Sequence, residues 1–402
     1  MDLGSLSRFF EEFMAKEPLF VYKEALQQNY SPLEVFHREE QINQVANALA
    51  PVLRLERPSN ILIYGKTGTG KTLTVRKVTE EIMRISKQKG KPIKTIYLNC
   101  KLKKTADTEY RLIAKLAAEF GRDIPSTGLP TEEVYRLFFD ALEKETRILI
   151  LVLDEIDYLV KKAGDGLLYS LTRINSELKN TQITIVGISN DLLFVDNLDP
   201  RVKSSLSEEG FVFPPYNAIQ LQGILRQRAN EAFISGALEE GAIEKCAAYA
   251  AKEHGDARRA IDLLRVAGEI AERQGQKKVT TTHIDLAEEK IDRDNIIEII
   301  TTQPKQFQAA LYAITTQCTG GKKASTGEIY SAYAKICPQA ALRPLTQRRV
   351  SGIISEFDML GIINAETISK GRYGKTREVS ISPPASANPQ INLILRSGLE
   401  LT

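Results

Sequence analysis

The 402-residue sequence predicts an α/β domain with a parallel sheet, then a helical unit, then a unit of three helices and a two-stranded hairpin. Short apolar runs alternate with helical patterns as far as Phe213, which is typical of a parallel sheet with helices on both faces. After Pro214 and Pro215 only helical spacing is found, until strand-like runs return beyond residue 360. We therefore expect domains at 1–215, 216–293 and 294–385, and the tail 386–402 has no assignment.

The elements of each domain follow from the local pattern. A helix-like arm at 9–26 precedes a helix at 41–55. The predicted strands of the sheet are 60–64, 94–99, 148–154, 183–189 and 211–213. The predicted helices of the second domain are 219–234, 241–254, 257–274 and 282–292. The third domain is predicted to have helices at 306–317, 325–336 and 346–360 and strands at 361–368 and 377–382.

Composition limits the classes of function. No apolar run reaches the length of a membrane span and the amino terminus lacks a signal pattern, so we expect a cytoplasmic protein with no membrane partner. The four cysteines are widely separated and only three histidines occur, which argues against a metal cluster or a disulfide framework. From Asn295 onward there are 12 Lys and Arg against 7 Asp and Glu, a balance that suggests an anionic partner such as nucleic acid.

Residues 65–72, Gly-Lys-Thr-Gly-Thr-Gly-Lys-Thr, fit the phosphate-loop pattern G-x-x-x-x-G-K-[ST]. The pattern lies between an apolar strand and a helix predicted at 71–87, as such a loop requires. Glycines without Cβ let the backbone N–H groups approach phosphate oxygens at a helix amino terminus. Lys71 is placed to reach the β- and γ-phosphates and Thr72 to bind Mg²⁺. The predicted nucleotide-binding residues of the loop are Gly65, Lys66, Thr67, Gly68, Thr69, Gly70, Lys71 and Thr72.

Acidic and amide side chains follow two predicted strands. Asp154 ends the apolar run 148–154, where a carboxylate is favourable if it faces a cation such as Mg²⁺. Glu155 comes next and is predicted to orient or deprotonate the attacking water, although an acid at a helix start is the alternative. Asn190 follows the strand 183–189 and could contact the γ-phosphate or the water. Asp157 could support this site or simply cap a helix.

At this point the chain resembles the AAA+ ATPases, and within them the archaeal origin-recognition and helicase-loader replication initiators. The resemblance covers about residues 9–382. Besides the two nucleotide motifs, it is carried by residues 35–40 (Val-Phe-His-Arg-Glu-Glu), 187–190, 198–205, 254–265 and 371–377. It implies an AAA+ domain, an α-helical lid and a carboxy-terminal winged helix, with ATP or ADP and Mg²⁺ as ligands.

The resemblance also implies roles for single residues in nucleotide binding and hydrolysis. Asn190 corresponds to the sensor-1 residue, and Arg201 to an arginine finger contributed to the nucleotide of a neighbouring subunit. Arg258 corresponds to the sensor-2 arginine of the lid, with Arg259 as the alternative. His37 and Arg38 lie in the segment that borders the adenine.

Candidate DNA contacts fall in two regions. The resemblance implies an initiator-specific helix within about 107–120, where Tyr110 and Arg111 could meet a DNA backbone, although a solvated basic face explains them equally well. In the winged-helix interpretation, residues 342–360 hold the recognition helix and the basic turn 370–377 forms the wing. The remaining predicted DNA-binding residues are Arg343, Arg348, Arg349, Lys370, Arg372, Tyr373, Gly374, Lys375 and Arg377.

The function implied by the resemblance is that of a replication initiator. Such a protein binds double-stranded origin DNA, assembles with other initiator subunits, recruits the replicative helicase and is associated with the nucleoid. ATP hydrolysis is expected to be slow and regulatory. A nucleotide-gated transcription regulator is the alternative, since the motifs alone do not separate the two, and mapping of genomic binding would. A motor or clamp-loader ATPase is a third class, against which the basic wing argues.

Overall fold

The computed structural model describes residues 11, 14, 17–27, 30–32, 34–101, 108–125, 127–145, 148–206, 208–369, 375–382 and 390–401. The chain divides into two compact units, residues 1–281 and 282–402. The predicted division between lid and winged helix at 293 lies within a continuous helix, Thr281–Thr302. No Gly or Pro occurs in that helix and Pro304 follows it, so the polar stretch near residue 293 does not end it.

The first unit contains the predicted parallel sheet. Its strands are β1 (Ile61–Tyr64), β2 (Ile93–Asn99), β3 (Ile148–Asp154), β4 (Gln182–Ser189) and β5 (Glu209–Val212). Their order is β2-β3-β4-β1-β5, and every pairing is parallel. The register places Asn99 beside Asp154 and Tyr64 beside Ser189. The carboxyl ends of β1 to β4 therefore meet at one edge, where open α/β sheets place their ligands.

Helices cover both faces of this sheet. They are α1 (Glu39–Leu49), α2 (Lys71–Lys89), α3 (Glu109–Ala118), α4 (Thr131–Glu145), α5 (Ile156–Ala163), α6 (Gly166–Arg173) and α7 (Pro200–Leu206). Strand β3 is buried along its whole length. Its Leu149 and Leu151 join the core on one face, whereas Ile150 and Val152 join the core on the other. The alternation confirms the two-sided burial expected for a parallel sheet.

One predicted helix of this unit is shorter than expected. The pattern at 41–55 predicts a single helix, but α1 ends at Leu49 and a 3₁₀ turn, Ala50–Arg54, completes the segment. Pro51 accounts for the change, because its ring nitrogen has no hydrogen to donate within an α-helix.

Three further helices complete the first unit. They are α8 (Ala218–Ala232), α9 (Ala242–Lys252) and α10 (Ala257–Arg273), close to the prediction. Asn217 and Gln220 form a capping box that starts α8, and the Asp256 carboxylate caps α10. Residues 11, 14 and 17–26 of the predicted arm are described, and of these Lys23–Leu26 form a 3₁₀ turn. Its described part packs on α8, where the Phe20 and Phe233 ring centroids are 4.6 Å apart.

The second unit is a winged helix with one helix more than predicted. After α11 (Thr281–Thr302) come α12 (Lys305–Gln317), α13 (Thr326–Gln339), α14 (Gln347–Met359) and α15 (Gln390–Gly398). The strands β6 (Ala324–Ser325), β7 (Ile363–Ser369) and β8 (Lys375–Ile381) form an antiparallel sheet in the order β6-β8-β7. The hairpin β7–β8 was predicted, and β6 adds a short third strand.

Helix α15 occupies part of the tail that the sequence left unassigned. It packs against α12 and contributes Ile391 and Leu395 to the core of the second unit, and Leu399, directly after the helix, joins the same core. These residues are four apart, whereas Leu393 on the opposite face is 67% exposed. The spacing is that of an amphipathic helix, so the signal was present in the sequence.

All four cysteines, Cys100, Cys246, Cys318 and Cys337, are buried and free. Burial raises the pKa of the Cys100 thiol to about 12 and also raises the pKa of Cys318 and of Cys337. No helix of the described residues is both long and apolar enough to cross a membrane.

The role of α15 in the second unit can be tested with two leucines of the same helix. Leu395→Ala removes a fully buried side chain and should lower the free energy of opening of α12 by about 2–5 kcal/mol. Leu393→Ala, the exposed control, should change it by less than about 0.5 kcal/mol. Native-state hydrogen exchange of α12 amides in the full chain measures both values. Equal effects of the two substitutions would contradict the packing described for α15.

Candidate functional site

A cavity of about 420 Å³ lies at the carboxyl edge of the sheet in the first unit. The phosphate loop, the ends of β2, β3 and β4, and the start of α10 all contribute to it. Its lining includes residues 68–72 together with Asp154, Glu155, Asn190 and Arg258. The structure thus brings most of the predicted nucleotide site together, because the predicted residues end neighbouring parallel strands.

The glycines of the phosphate loop are required by its conformation and by its neighbours. Gly68 and Gly70 have φ of +68° and +86°, in the left-handed region that favours glycine. A Cβ at Gly65 would lie 2.4 Å from the Phe213 carbonyl oxygen, and one at Gly68 would lie 1.7 Å from Asp256 Oδ1. The loop therefore fits tightly between the end of β5 and the start of α10, and the tight fit leaves no room for side chains at these positions.

The Lys71 ammonium is held inside the loop. Its Nζ donates to the carbonyl oxygens of Gly65 and Lys66, at 2.8 and 2.7 Å. The residue is only 5% exposed, and this burial lowers the pKa of Lys71 to about 8, although Asp154 opposes the shift. A cation that is partly desolvated and close to the loop suits a ligand with several negative oxygens.

Thr72 and Asp154 meet where a divalent cation is expected. Thr72 Oγ1 donates to Asp154 Oδ2 at 2.8 Å, and the Tyr97 hydroxyl donates to the same oxygen. Asp154 Oδ1 accepts from the Glu155 N–H at 2.9 Å. The aspartate is 5% exposed, so its charge is stabilised by these bonds. A hydroxyl and a carboxylate are oxygen ligands of the kind that Mg²⁺ prefers, and the two residues fit such an ion.

Glu155 has a backbone conformation that separates it from Asp154. Its φ is +55°, which is uncommon for a residue other than glycine. Glu155 is the residue before α5, yet its side chain makes no capping bond to that helix. Instead the carboxylate accepts from Asn99 Nδ2 at 3.4 Å and lies 3.7 Å from Lys101 Nζ. The carboxylate thus lies at the cavity, and Glu155 also stands at the start of α5, where the helix dipole favours an acid, so the structure is consistent with both interpretations of this residue.

Asn190 is positioned by Asp157. The Ser189 hydroxyl and the Asn190 N–H both donate to Asp157 Oδ1, at 3.2 and 3.4 Å. Asp157 is the second residue of α5. Its bonds join the start of α5 to the end of β4, beside Asn190, which lines the cavity.

The lid contributes Arg258. Asp256 caps α10 by accepting from the Arg258 and Arg259 N–H groups, and the Ala257 N–H donates to the Gly68 carbonyl at 3.2 Å. The Arg259 side chain forms an ion pair with Glu253 at 3.0 Å, whereas Arg258 lines the cavity. The positive charge of Arg258 contributes to lowering the pKa of Lys71. The geometry therefore favours Arg258 over Arg259 as the lid arginine of the site.

Five predicted nucleotide contacts are not in the cavity lining: His37, Arg38, Gly65, Lys66 and Thr67. Val35 and Phe36 line it, but neither His37 nor Arg38 does. His37 packs on α8, where a Cβ at Gly223 would lie 2.4 Å from its Nε2. Arg38 is buried beneath the phosphate loop and donates to the Thr69 carbonyl. Both residues border the site without reaching its lining.

Arg201 also lies outside the cavity of its own chain. It is on α7, with its side chain 70% exposed, and its Nε and Nη2 each donate to Asp199 at 3.1 Å. Its guanidinium lies 5.2 Å from the centroid of the Tyr169 ring. An exposed, oriented arginine is available to another molecule.

Sequence reasoning missed three residues that shape the site. Asn99 and Tyr97 contact Glu155 and Asp154, and Asp256 joins the loop to the lid through Thr67 Oγ1 at 3.3 Å. Alignment of the predicted strand ends would have placed Asn99 beside Asp154, and Tyr97 is two residues earlier on the same face. For Asp256 the signal was its position before a predicted helix.

The structure places only part of the predicted DNA-binding set. The Tyr110 hydroxyl donates to the Pro125 carbonyl, and Arg111 is exposed on the first turn of α3. The predicted turn residues Lys370, Arg372, Tyr373 and Gly374 lie outside the described residues, and Lys375 begins β8.

The four other predicted DNA contacts lie in the second unit. Arg348 and Arg349 are exposed on the first turn of α14. Arg343 lies in the segment before that helix, because α14 begins at Gln347, after its cap Thr346 and close to the predicted start at 346. Arg377 is half-buried on β8 and donates to Ser355 Oγ at 2.5 Å. Arg348 and Arg349 are therefore the best-placed of these residues for a phosphate backbone.

Comparison with protein families gives three matches along the chain. Residues 54–194 match the AAA domain, and residues 222–289 match the Cdc6 AAA+ ATPase-type lid domain. Residues 298–387 match the CDC6 C-terminal winged helix domain. The order of the three matches is the predicted order of domains.

Curated relatives cover almost the whole chain. It is 52% identical over 387 residues to the ORC1-type DNA replication protein of Thermococcus onnurineus, covering 95% of this chain and 92% of the relative. It is 53% identical over 382 residues to the ORC1-type DNA replication protein of Pyrococcus abyssi, covering 94% and 90%.

Solved structures also match almost the whole chain. The Aeropyrum pernix ORC1 protein, solved in complex with DNA, is 46% identical and has a TM-score of 0.80, covering 95% of this chain and 96% of its own. Pyrobaculum aerophilum Cdc6p, at 21% identity, 95% and 99% coverage and a TM-score of 0.60, shares the fold.

The lowered pKa of Lys71 predicts a pH dependence of nucleotide binding. Above pH 8 the free chain has lost the Lys71 proton, and bound phosphates should restore it by raising that pKa. ADP affinity should therefore fall by up to about tenfold per pH unit above 8, with uptake of close to one proton. Calorimetry at pH 9 in two buffers of different ionisation enthalpy measures the uptake. Lys89→Met, which alters an exposed side chain at the far end of α2, should leave the proton uptake unchanged. Absence of uptake by the unaltered chain would contradict the assignment.

Proposed function

The chain belongs to the ORC1-type family of DNA replication proteins, and from this membership we propose that it is a replication initiator that binds double-stranded origin DNA. Its ATP or ADP state would control assembly with other initiator subunits and recruitment of the replicative helicase. One observation carries the proposal: a nucleotide cavity and a winged-helix unit with exposed arginines occur in one chain. A relative that combines the same domains at 46% identity was solved with DNA.

The AAA domain makes the chain a nucleotide-binding ATPase. Residues 68–72 would hold the phosphates, with the N–H groups of the loop as donors and Lys71 as the cation. Thr72 and Asp154 would hold Mg²⁺, which when bound supplies positive charge to the phosphate oxygens. Glu155 would accept a proton from the attacking water, with Asn99 holding the carboxylate and Asn190 orienting the water. Arg258 would bring positive charge from the lid.

Hydrolysis in this arrangement should be slow. Within a single chain the carboxylate of Glu155 lies close to Lys101, and no cation of α7 reaches the cavity lining. Arg201, which Asp199 orients on the surface, would supply the missing positive charge to the nucleotide of a neighbouring subunit. A finger supplied in this way makes turnover depend on assembly, which suits a switch better than a motor.

The relatives decide between the two regulatory functions that the sequence left open. Those that cover nearly the whole chain at about half identity are named replication proteins. This favours a replication initiator over a transcription regulator. An initiator bound to origin DNA would be associated with the nucleoid.

A mixing experiment tests the finger in trans. Glu155→Gln should bind ATP without turning it over, and Arg201→Ala should lower hydrolysis of the DNA-bound assembly by at least about 10³-fold. A mixture should regain activity, because a Glu155→Gln subunit can offer its Arg201 to an intact Arg201→Ala site. Arg173→Ala is the matched control, since Arg173 also lies over the Tyr169 ring, at 4.9 Å, and should behave as the unaltered chain. A mixture no more active than its parts would contradict a finger in trans.

Footprinting on fragments of the organism's own chromosome tests the DNA function. Protection should concentrate at replication start sites and should differ between ATP and ADP. Replacing Arg348 and Arg349 together by Ala should weaken binding and reduce the slope of log affinity against log salt by about 2. Lys305→Ala removes an exposed lysine that pairs with Glu400 and should leave the slope unchanged. Protection spread evenly over the chromosome would count against an initiator.

A further inference from the structure

Arg38 is a buried arginine that bonds main-chain carbonyl groups of two separate segments. Its Nε donates to the Thr69 oxygen at 2.9 Å, and its Nη2 donates to the Pro214 oxygen at 2.5 Å. Thr69 is in the middle of the phosphate loop, and Pro214 is in the linker between β5 and α8. The residue is 2% exposed, and burial lowers its pKa. A guanidinium this deeply buried is costly unless its donors are satisfied, so both bonds should be strongly held.

The bond to Thr69 orients the phosphate loop. In a planar trans peptide the carbonyl and the following N–H point in opposite directions. Because the Thr69 carbonyl points to Arg38, the Gly70 N–H points to the other side of the loop. Residues 68–72 line the cavity, whereas Arg38 does not. Arg38 therefore fixes the orientation of the peptide between Thr69 and Gly70 from outside the cavity lining.

The contacts on the linker side continue into the lid. The Arg38 guanidinium lies 3.8 Å from the centroid of the Tyr216 ring. The Tyr216 N–H donates to the Gly255 carbonyl at 3.3 Å, just before the cap of α10. A Cβ at Gly255 would lie 2.3 Å from the main-chain carbonyl oxygen of Tyr216. A Cβ at Gly70 would lie 2.7 Å from the hydroxyl oxygen of the Tyr216 side chain. The linker is thus packed tightly between loop and lid.

These contacts form a closed ring. It runs from the Thr69 carbonyl through Arg38 to the linker, from Tyr216 to Gly255, and back through the bond from the Ala257 N–H to the Gly68 carbonyl. Each segment holds its neighbours, so a shift of the phosphate loop on nucleotide binding would move the linker as well.

We propose that Arg38 is a positioning residue that couples the phosphate loop to the linker of the lid, so that the nucleotide state sets the order of that linker. The proposal rests on the proposed nucleotide function but assigns Arg38 no contact with the nucleotide. It differs from a purely structural role, because it requires a response of the linker to the ligand.

Hydrogen exchange of two amides in the full chain reports on this coupling. The Tyr216 N–H follows the linker, and the Ala257 N–H follows the direct contact between loop and lid. In the unaltered chain, ADP should slow the exchange of both by about tenfold or more. In Arg38→Met at saturating ADP, the Ala257 amide should still be protected, while the Tyr216 amide should lose most of its protection. Arg38→Lys, with one ammonium for two carbonyls, should be intermediate.

The matched control is Arg57→Met. Arg57 also donates to a main-chain carbonyl, that of Ile183 at 3.2 Å, but it lies away from the cavity lining. It should leave the response to ADP unchanged. Exchange of the β3 and β4 amides shows whether each variant keeps a folded core. If Arg38→Met does not, the comparison is made with Arg38→Lys instead.

The outcomes separate the two proposals. If saturating ADP protected the Tyr216 amide equally in the unaltered chain and in both Arg38 variants, the coupling would be wrong. If the unaltered chain bound no ADP, the nucleotide function would fail instead. Arg38 would then be judged from the ligand-free chains. In the ligand-free chains, exchange of the Tyr216 amide should be about tenfold faster in Arg38→Met than in Arg57→Met. Equal exchange rates would show that Arg38 does not stabilise the linker.

Discussion

The phosphate loop of this protein is held through its carbonyl groups, and the geometry of the site depends on those bonds. Two buried cations make them. Lys71 occupies the carbonyls of Gly65 and Lys66, and Arg38 occupies that of Thr69. Both cations are buried, and their hydrogen bonds to these carbonyls offset the free-energy cost of removing the charges from water. The two differ in their position relative to the cavity. Lys71 lines the cavity, whereas Arg38 lies outside the lining.

The same edge of the sheet shows how acidic groups share a small volume. Asp154 and Glu155 are adjacent in sequence, but the left-handed backbone at Glu155 turns them towards different partners. Asp154 is held by Thr72 and Tyr97, and Glu155 by Asn99. This arrangement is compatible with the proposed roles, in which one carboxylate binds a cation and the next accepts a proton from water.

Most of the fold and the centre of the site could be predicted from the sequence, because both depend on local signals. Apolar runs, the loop glycines and the polar residues after strands identify the sheet and place Asp154 and Asn190. What could not be predicted depends on contacts between distant segments. Arg38 bonds to residues 31 and 176 positions away, and no local pattern distinguishes such an arginine from one that contacts a ligand. The predicted end of α11 was wrong for a different reason, because that helix contains polar residues but no helix breaker. Helix α15 was not predicted, although its apolar residues are spaced by four.

The buried cysteines of the fold make this chain convenient for site-specific labelling. Alkylating reagents attack the thiolate, and burial both shields the four sulfurs and, at Cys100, Cys318 and Cys337, disfavours that form. A maleimide dye would therefore react selectively with a new cysteine placed on an exposed helix face, while the native thiols stay in place. The chain also contains no tryptophan, so a single introduced indole would report its own surroundings without background. Motions of the lid can be followed in this way without first rebuilding the core.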